Sequence, residues 1–471
     1  TERGVPLVEL RTVHQLRYYT DSNGYAAVRE PELMDQTVFF HVESHGYEWP
    51  ADGFGVRGKA LQVTPGGEIT LRIKRKNIAE RLYRQTGGGI YADSLLLGKP
   101  TPLRHPALNA QVLGCDSVVT AVYRGRLYWF WGDTNYPHYP LGLFHVPGAT
   151  SKLPRDGGLE PSRGVDFEYF VDKSGRARAT AQMSGAGPTW INGLIVLPDE
   201  SGRERLLGAY EKVRNELDVY RRGLIEFDDE QQRFERVSDY APDVPLRPHG
   251  HPIKRTADGV EWVYFGDPFL TTRVRATRAA WQDLAQYEGY TALKEGSTES
   301  QPQLDRDEAG RLRFTWRRGA APWTNTLEAK LVKSGALKED ESIFRPRDVD
   351  SSHIVNVHRG TINWNEHRKR WIMICSELGG TTSLLGETWY SESDQPEGPW
   401  RRAKKIVTHD HYSFYNPKHH VQFDEAGGRF IYFEGTYTQL FSGRKPAEFT
   451  PRYEYNQILY RLDLNAVGEM K

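Results

Sequence analysis

The chain has almost no sulfur chemistry to offer. Cys115 and Cys375 are its only cysteines in 471 residues, which excludes a disulfide framework and leaves at most one bridge between them. Long apolar runs are also missing: no stretch approaches the roughly 20 residues that a membrane-spanning helix needs. Net charge is absent too, with Lys plus Arg and Asp plus Glu at 62 each. A balanced chain has no general field to gather a polyanion or an anionic bilayer, so nucleic acid and membrane surfaces are poor partners. The opening TERGVPL carries no Met and no signal-type apolar segment, and reads as a trimmed chain. The expected location is secreted or periplasmic.

What is abundant is turn-forming and aromatic. With 45 Gly, 27 Pro and 12% aromatic residues, the composition predicts many short strands joined by tight turns and no long helices. Residues 1 to about 105 hold alternating stretches such as TVFFHV and GEITLRIKRKN, broken by ADGFG and TPGG, and predict a small β-sandwich of accessory type. The Pro-rich GKPTPLRHPALNA reads as a linker, which puts a boundary near residue 105 and a second domain over 106–471.

In that second domain one pattern recurs. An apolar strand runs into an acid in GRLYWFWGDT (Asp133), RERLLGAYEKV (Glu211), GVEWVYFGDP (Asp267), KRWIMICSEL (Glu377) and GRFIYFEGTY (Glu434). Most copies follow another strand and a turn, so each unit predicts a roughly four-stranded antiparallel sheet. The acid-bearing strands lack clean alternation, so both of their faces should be buried, as in sheets stacked around an axis. Five copies predict an all-β chain with a five-bladed β-propeller after the N-terminal sandwich. The long insertion at about 292–350, including GRLRFTWRRGAAPWT, is expected to wall one side of a cleft.

The first hairpin can be counted through. If Arg124 and Gly125 make a two-residue turn, Tyr123 pairs with Arg126 and the same register sets Asp116 opposite Asp133. Directly opposed side chains point to one side with Cβ atoms about 4.5–5.5 Å apart. Two carboxylates so placed repel, and the pair should divide into an acid and a base. The same count puts His251 or Gly250 near Asp267, Asn356 near Glu377, and Lys418 or His419 near Glu434. One end of the axis would then collect acids, imidazoles, amides and aromatic rings, a set suited to sugar hydroxyls and sugar C–H faces.

The motifs GCDSVV…WFWGDT, SESDQPEGPW and YNPKHHVQFD make residues 106 to about 465 resemble the five-bladed β-propeller glycoside hydrolases. The likeness is to the arabinanase and arabinofuranosidase-like members, including those acting on bacterial D-arabinan. It implies that Asp116 matches the acid at the start of the first inner strand and that Asp133 matches the acid of the W-G-D-T element. Glu211 matches a proton donor by blade position alone. The second-blade inner strand is not identified, and no full furanosidase triad is traced. His251, Asp267, Asn356, Glu377, His419 and Glu434 are assigned to substrate binding.

Plainer readings apply to several features. An acid after a buried strand often only caps turn amides. The pair His419 and His420 would face opposite ways on a strand and share no metal. Cys115 should point into packing, SDQPEGPW reads as an inter-strand turn, TNYPHYP as a turn or pocket edge, and RQTGGGIYADS as a loop. No cofactor is expected. The alternative function is a non-catalytic carbohydrate-binding propeller whose acids hold hydroxyls or a calcium ion. With the two acids near 5 Å apart, retention of configuration would be favoured.

Overall fold

The computed structural model describes residues 3–140, 145–215, 217–443 and 448–470. It is all-β in character, and its longest helix among the described residues has nine residues, Asn325–Lys333. The N-terminal part forms a four-stranded sheet from Glu9–Thr12, Arg17–Tyr19, Thr37–Glu43 and Gly58–Gln62, with a separate two-stranded ladder of Tyr47–Glu48 and Lys74–Arg75. The alternating TVFFHV stretch lies in its central region, paired on both sides.

Among the described residues, five further sheets of four or five strands follow, with a two-stranded ladder of Gly114–Cys115 and Thr134–Asn135 beside the first. Sheet 1 contains Val118–Tyr123, Arg126–Trp131, Gly148–Lys152 and Glu168–Tyr169; sheet 2 contains Thr189–Pro198, Glu204–Arg214, Asp218–Asp228 and Arg233–Tyr240. Sheet 3 begins with Ile253–Ala257 and Val260–Phe265 and ends on a fifth strand, Thr315–Arg318. Sheet 4 begins with Val357–Asn365 and Arg370–Glu377 and adds Arg347–Asp348, parallel, at its outer edge. Sheet 5 runs Ser413–His419, Phe430–Thr438, Asn456–Asp463 and then Glu80–Arg84. In every sheet the acid-bearing strand is second in order.

The reason these strands lack alternation is visible in the packing. Phe130 faces Tyr210 and Ile225 of sheet 2, while Trp129 and Trp131 face Tyr432 and Leu459 of sheet 5. Comparable cores join sheets 2 and 3 through Leu207 and Val263, sheets 3 and 4 through Tyr264 and Met373, and sheets 4 and 5 through Ile374 and Phe433. Each sheet therefore buries both faces. Burying a side chain of this size contributes about 1.5–3 kcal/mol, and Trp129, Phe130 and Trp131 are each within 1% of full burial.

Three expectations change in detail. Residues 80–84 pair with 458–461, so sheet membership passes from the N-terminal part to the last sheet well before residue 105. The insertion at 292–350 supplies a core, with Trp323, Leu327 and Phe344 packed between sheets 3 and 4. Buried Glu328 fastens it, accepting from Trp323 Nε1 at 2.7 Å and from the backbone N–H groups of Ile343 and Phe344 at 3.0 and 2.9 Å. Glu211 and Glu434 also lie within strands that run on past them, to Arg214 and Thr438. SDQPEGPW is the turn between Glu387–Ser393 and Arg402–Thr408. Cys115 and Cys375 are both buried and free.

Candidate active site

The site starts from a tight turn. Arg124 and Gly125 both have positive φ, 49° and 74°, the geometry that matches the twist of a two-residue hairpin. The register that follows pairs Arg126 with Tyr123 and Trp131 with Val118, and resumes with Thr134 opposite Cys115. Between these, the Asp116 N–H donates to the Asp133 carbonyl at 3.0 Å. The Asp133 N–H donates in turn to Asp116 Oδ1 at 2.7 Å. Gly132 permits this closeness, because a Cβ there would stand 2.3 Å from the same oxygen.

Other sheets complete the surroundings. Tyr415, from sheet 5, donates its hydroxyl to Asp116 Oδ2 at 2.8 Å, and the Tyr455 hydroxyl also bonds that carboxyl group. Trp190, from sheet 2, donates its indole N–H to Asp133 Oδ1 at 2.9 Å. The backbone near the dyad is bent into the left-handed region at Ser117, Asn416 and Tyr455, with φ of 39°, 51° and 58°. Such residues cost about 1–3 kcal/mol each and persist where their surroundings hold them. Here Asn416 Nδ2 donates to Ser117 Oγ at 2.6 Å, and Ser117 N–H to Thr436 Oγ1 at 3.0 Å.

Burial raises the Asp116 carboxyl to about 7, helped by the charge of Asp133 and opposed by the donors Tyr415, Tyr455 and the Asp133 amide. Burial raises Asp133 as well, opposed by Trp190. The two carboxyl groups titrate as a linked pair. As whole residues, each is only half-buried.

The remaining sequence-derived candidates divide by what their side chains touch. Glu211 stands opposite Trp190 in the register, on the strand face from which the indole reaches Asp133, and is ion-paired with Arg222 at 2.8 Å. Asp267 accepts from the Gly360 N–H at 3.1 Å and lies 3.6 Å from Arg359. Burial raises its pKa, opposed by Arg359 and reinforced by Glu211. A Cβ on Gly250 would come within 2.9 Å of Asp267 Cβ, which places this pair as counted. His251 follows, with its pKa driven well down by burial and by Lys418 and Arg359.

Others are committed elsewhere. Glu434 is fully buried, opposite Lys418 in the register, and accepts from His420 Nε2 at 3.0 Å. Burial lifts it to about 8 against the pull of Lys418, and lowers Lys418 to about 8. His419 is buried between sheets 4 and 5, bonded to Asp424 at 2.9 Å and Asn363 at 3.3 Å. Glu377 is buried and paired with His353 at 2.6 Å. Asn356 is exposed and spends its amide on the Leu378 carbonyl at 3.0 Å. The hairpin register, with Asn365 opposite Arg370, would set His358 against Glu377, and a bulge between Val357 and Gly360 brings Val357 there instead, so Asn356 lies one residue off.

Among the described residues, no three His, Cys, Asp or Glu side chains are grouped to hold a metal. Calcium prefers six to eight oxygen ligands. The cluster of Glu434, Lys418, His420 and His251 offers one carboxylate beside an ammonium and imidazoles, and does not fit it.

No family model and no curated protein matches this chain. Solved structures do. An α-L-arabinanase from Penicillium chrysogenum, complexed with arabinobiose, is 13% identical over 83% of this chain and 99% of its own, at a TM-score of 0.37. An exo-1,5-α-L-arabinanase from a bovine ruminal metagenomic library is 11% identical over 74% of this chain and 93% of its own, also at 0.37. An exo-β-1,3-galactanase from Phanerochaete chrysosporium, with galactose, is 8% identical over 81% of this chain and 64% of its own, at 0.38. At such identities and TM-scores the side chains described above must carry the functional reading on their own.

Proposed function

We propose that the chain is a glycoside hydrolase on a five-bladed β-propeller, with Asp116 and Asp133 as its catalytic pair. The propeller reading is supported by five sheets of like order, each packed on the next, with sheet 5 returning to sheet 1. The observation that carries the function is the half-buried dyad, whose Asp116 is raised to about 7. Glycoside cleavage needs one protonated acid for the leaving oxygen and one carboxylate that attacks the anomeric carbon or activates water. Asp116, raised to about 7, is assigned as the acid and Asp133 as the carboxylate.

Trp190 and Tyr415 hold the two carboxyl groups in place by their hydrogen bonds. Glu211 with Arg222, Asp267 with Arg359, and His251 are assigned to sugar hydroxyls around the dyad. Asn356, Glu377, His419 and Glu434 are assigned to structure, because the first three bond within their own sheets or packing layers and Glu434 is fully buried on His420. The substrate class is a polysaccharide or oligosaccharide. Arabinans and galactans are the first to try, and secretion or a periplasmic location would suit such a substrate. The N-terminal sheet is an accessory module to the ring.

The test is incubation with arabinan, galactan and xylan, reading released sugar for the parent chain and for Asp116→Asn and Asp133→Asn. Loss of activity by about 10³-fold or more in both variants, with melting temperature held or raised, is expected. Binding of these glycans without release by the parent would replace this reading with a non-catalytic carbohydrate-binding propeller.

A further inference from the structure

The open ends of two hairpins meet at the dyad. In sheet 1 the turn at Arg124 and Gly125 lies at one end, and Asp116 and Asp133 lie at the other. In sheet 5 residues 420–429 connect Ser413–His419 to Phe430–Thr438, so the pair Ser413 and Thr438 marks the open end there. Tyr415 on Asp116, Asn416 on Ser117 and the Ser117 N–H on Thr436 tie the two open ends together. The chain after Thr438 therefore leaves sheet 5 beside the dyad.

That chain carries an open aromatic ring. Phe441 is 50% exposed, and its ring meets that of Tyr415 edge to face, with centroids 5.5 Å apart and planes at 86°. Tyr415 is only 6% exposed, so Tyr415 reaches the carboxylate and Phe441 faces solvent. A lone exposed Phe is ordinary, but this one is held out against its backbone preference. Its φ is 60°, in the left-handed region where a bulky side chain is an outlier. The neighbours enforce it. The Gln439 N–H donates to both oxygens of Glu454, at 3.0 and 3.1 Å, and the Leu440 N–H to Thr438 Oγ1 at 3.1 Å. On the other side the Ser442 carbonyl accepts from the Leu384 N–H at 2.7 Å, and Gly443 sits so close that a Cβ there would stand 2.6 Å from Leu384 Cβ. A loop pinned on both sides of a strained, solvent-facing ring gives up stability to fix where that ring stands, as binding sites do.

We propose that Phe441 is a substrate-binding residue of the dyad site, its ring stacking on the C–H face of one sugar of the bound glycan chain. The inference rests on the glycan-acting reading above and adds a residue to it. An aromatic face is electron-rich and suits the polarised C–H groups of a sugar ring, whereas an aliphatic side chain covers similar area without that match. Sheet 1 packs between sheets 5 and 2, so Phe441 approaches from the Asp116 side and Trp190, bonded to Asp133, from the other. Phe441 takes no part in bond cleavage: it touches neither carboxyl group directly and acts on how tightly the chain is held.

The full chain is assayed on arabinan, galactan and xylan, and the same glycans are titrated by calorimetry into the Asp116→Asn chain. Phe441→Leu should raise KM about tenfold and leave kcat within about twofold. Phe441→Trp, which keeps an aromatic face, should hold KM within about twofold of the parent. Phe441→Gly should weaken binding about tenfold while the melting temperature holds or rises, because Gly accepts a φ of 60° without strain. A ring needed only for packing would do the reverse, with a lower melting temperature and an unmoved KM. That result overturns the proposal, and so does a Phe441→Leu chain whose KM matches the parent. A parent that binds a glycan without releasing sugar, with Phe441→Gly weakening that binding, would defeat the hydrolase reading and support this one. A parent that releases sugar with a KM indifferent to Phe441 would do the opposite.

Discussion

Replacing Asp116 by Asn should change stability in a pH-dependent way. The carboxyl of Asp116 rises from its ordinary value of 3.8 to about 7 in the folded chain. For a group raised on folding, the stabilising contribution is complete below its unfolded value and is lost as pH climbs through its folded value. A rise of about 3 units corresponds to about 4 kcal/mol at most, shared in practice with Asp133. Asparagine keeps an oxygen for the Asp133 amide and never ionises. At pH 4 the variant and parent should therefore melt together. By pH 8 the variant should be the more stable, by up to about 4 kcal/mol. With an unfolding entropy of about 2 cal/mol/K per residue, that corresponds to about 4 °C for a chain of this length unfolding as one unit. Calorimetric scans from pH 4 to 8 on both proteins give the difference directly, and groups common to both cancel. A gap that stays constant with pH, or a variant less stable at pH 8, would refute the coupled-pair electrostatics.

Other expectations follow from the same geometry. Gly132→Ala should drive a methyl group into Asp116 Oδ1, 2.3 Å from the new carbon. Loss of about 100-fold in kcat and about 1–3 kcal/mol in stability is expected, measured by sugar release and denaturant melts. Trp190→Phe removes the donor that holds the Asp133 pKa down, and the acid limb of the kcat profile, set by the carboxylate that must stay ionised, should move to higher pH. An unmoved limb would separate Trp190 from the titrating pair. Glu434, raised to about 8 by burial, loses stabilisation as pH rises through that value. Glu434→Gln should therefore flatten the fall in melting temperature between pH 7 and 9, with sugar release at pH 6 little changed.

Legibility in the sequence followed the range of the interaction. The Asp116–Asp133 register is local, fixed by a turn whose two residues can be named, and counting recovers it. The Gly250–Asp267 and Lys418–Glu434 placements were legible in the same way. Asn356 was misplaced by one residue because INWNEHRK does not show that the hairpin closes with Asn365 on Arg370, and the count started from the wrong pair. Trp190, Tyr415 and Tyr455 approach the dyad from sheets remote in sequence, and no spacing rule connects them to it. Trp190 was further hidden because Thr189–Pro198 opens out of a glycine-rich loop and carries no acid. His419 and Glu377 looked like channel residues because position along a strand does not reveal which partner lies across the packing layer.

The pairing of Glu80–Arg84 with Ile458–Arg461 makes the two ends of the molecule depend on each other. A fragment beginning at residue 106 would leave Asn456–Asp463 with one bare flank, its N–H and C=O groups open to any extended chain nearby. Such a fragment would be short of a closing clasp, not merely of an ornament, and oligomers or precipitate are the natural result. Fusion partners and purification handles are better joined ahead of the first strand than spliced between the N-terminal sheet and the ring.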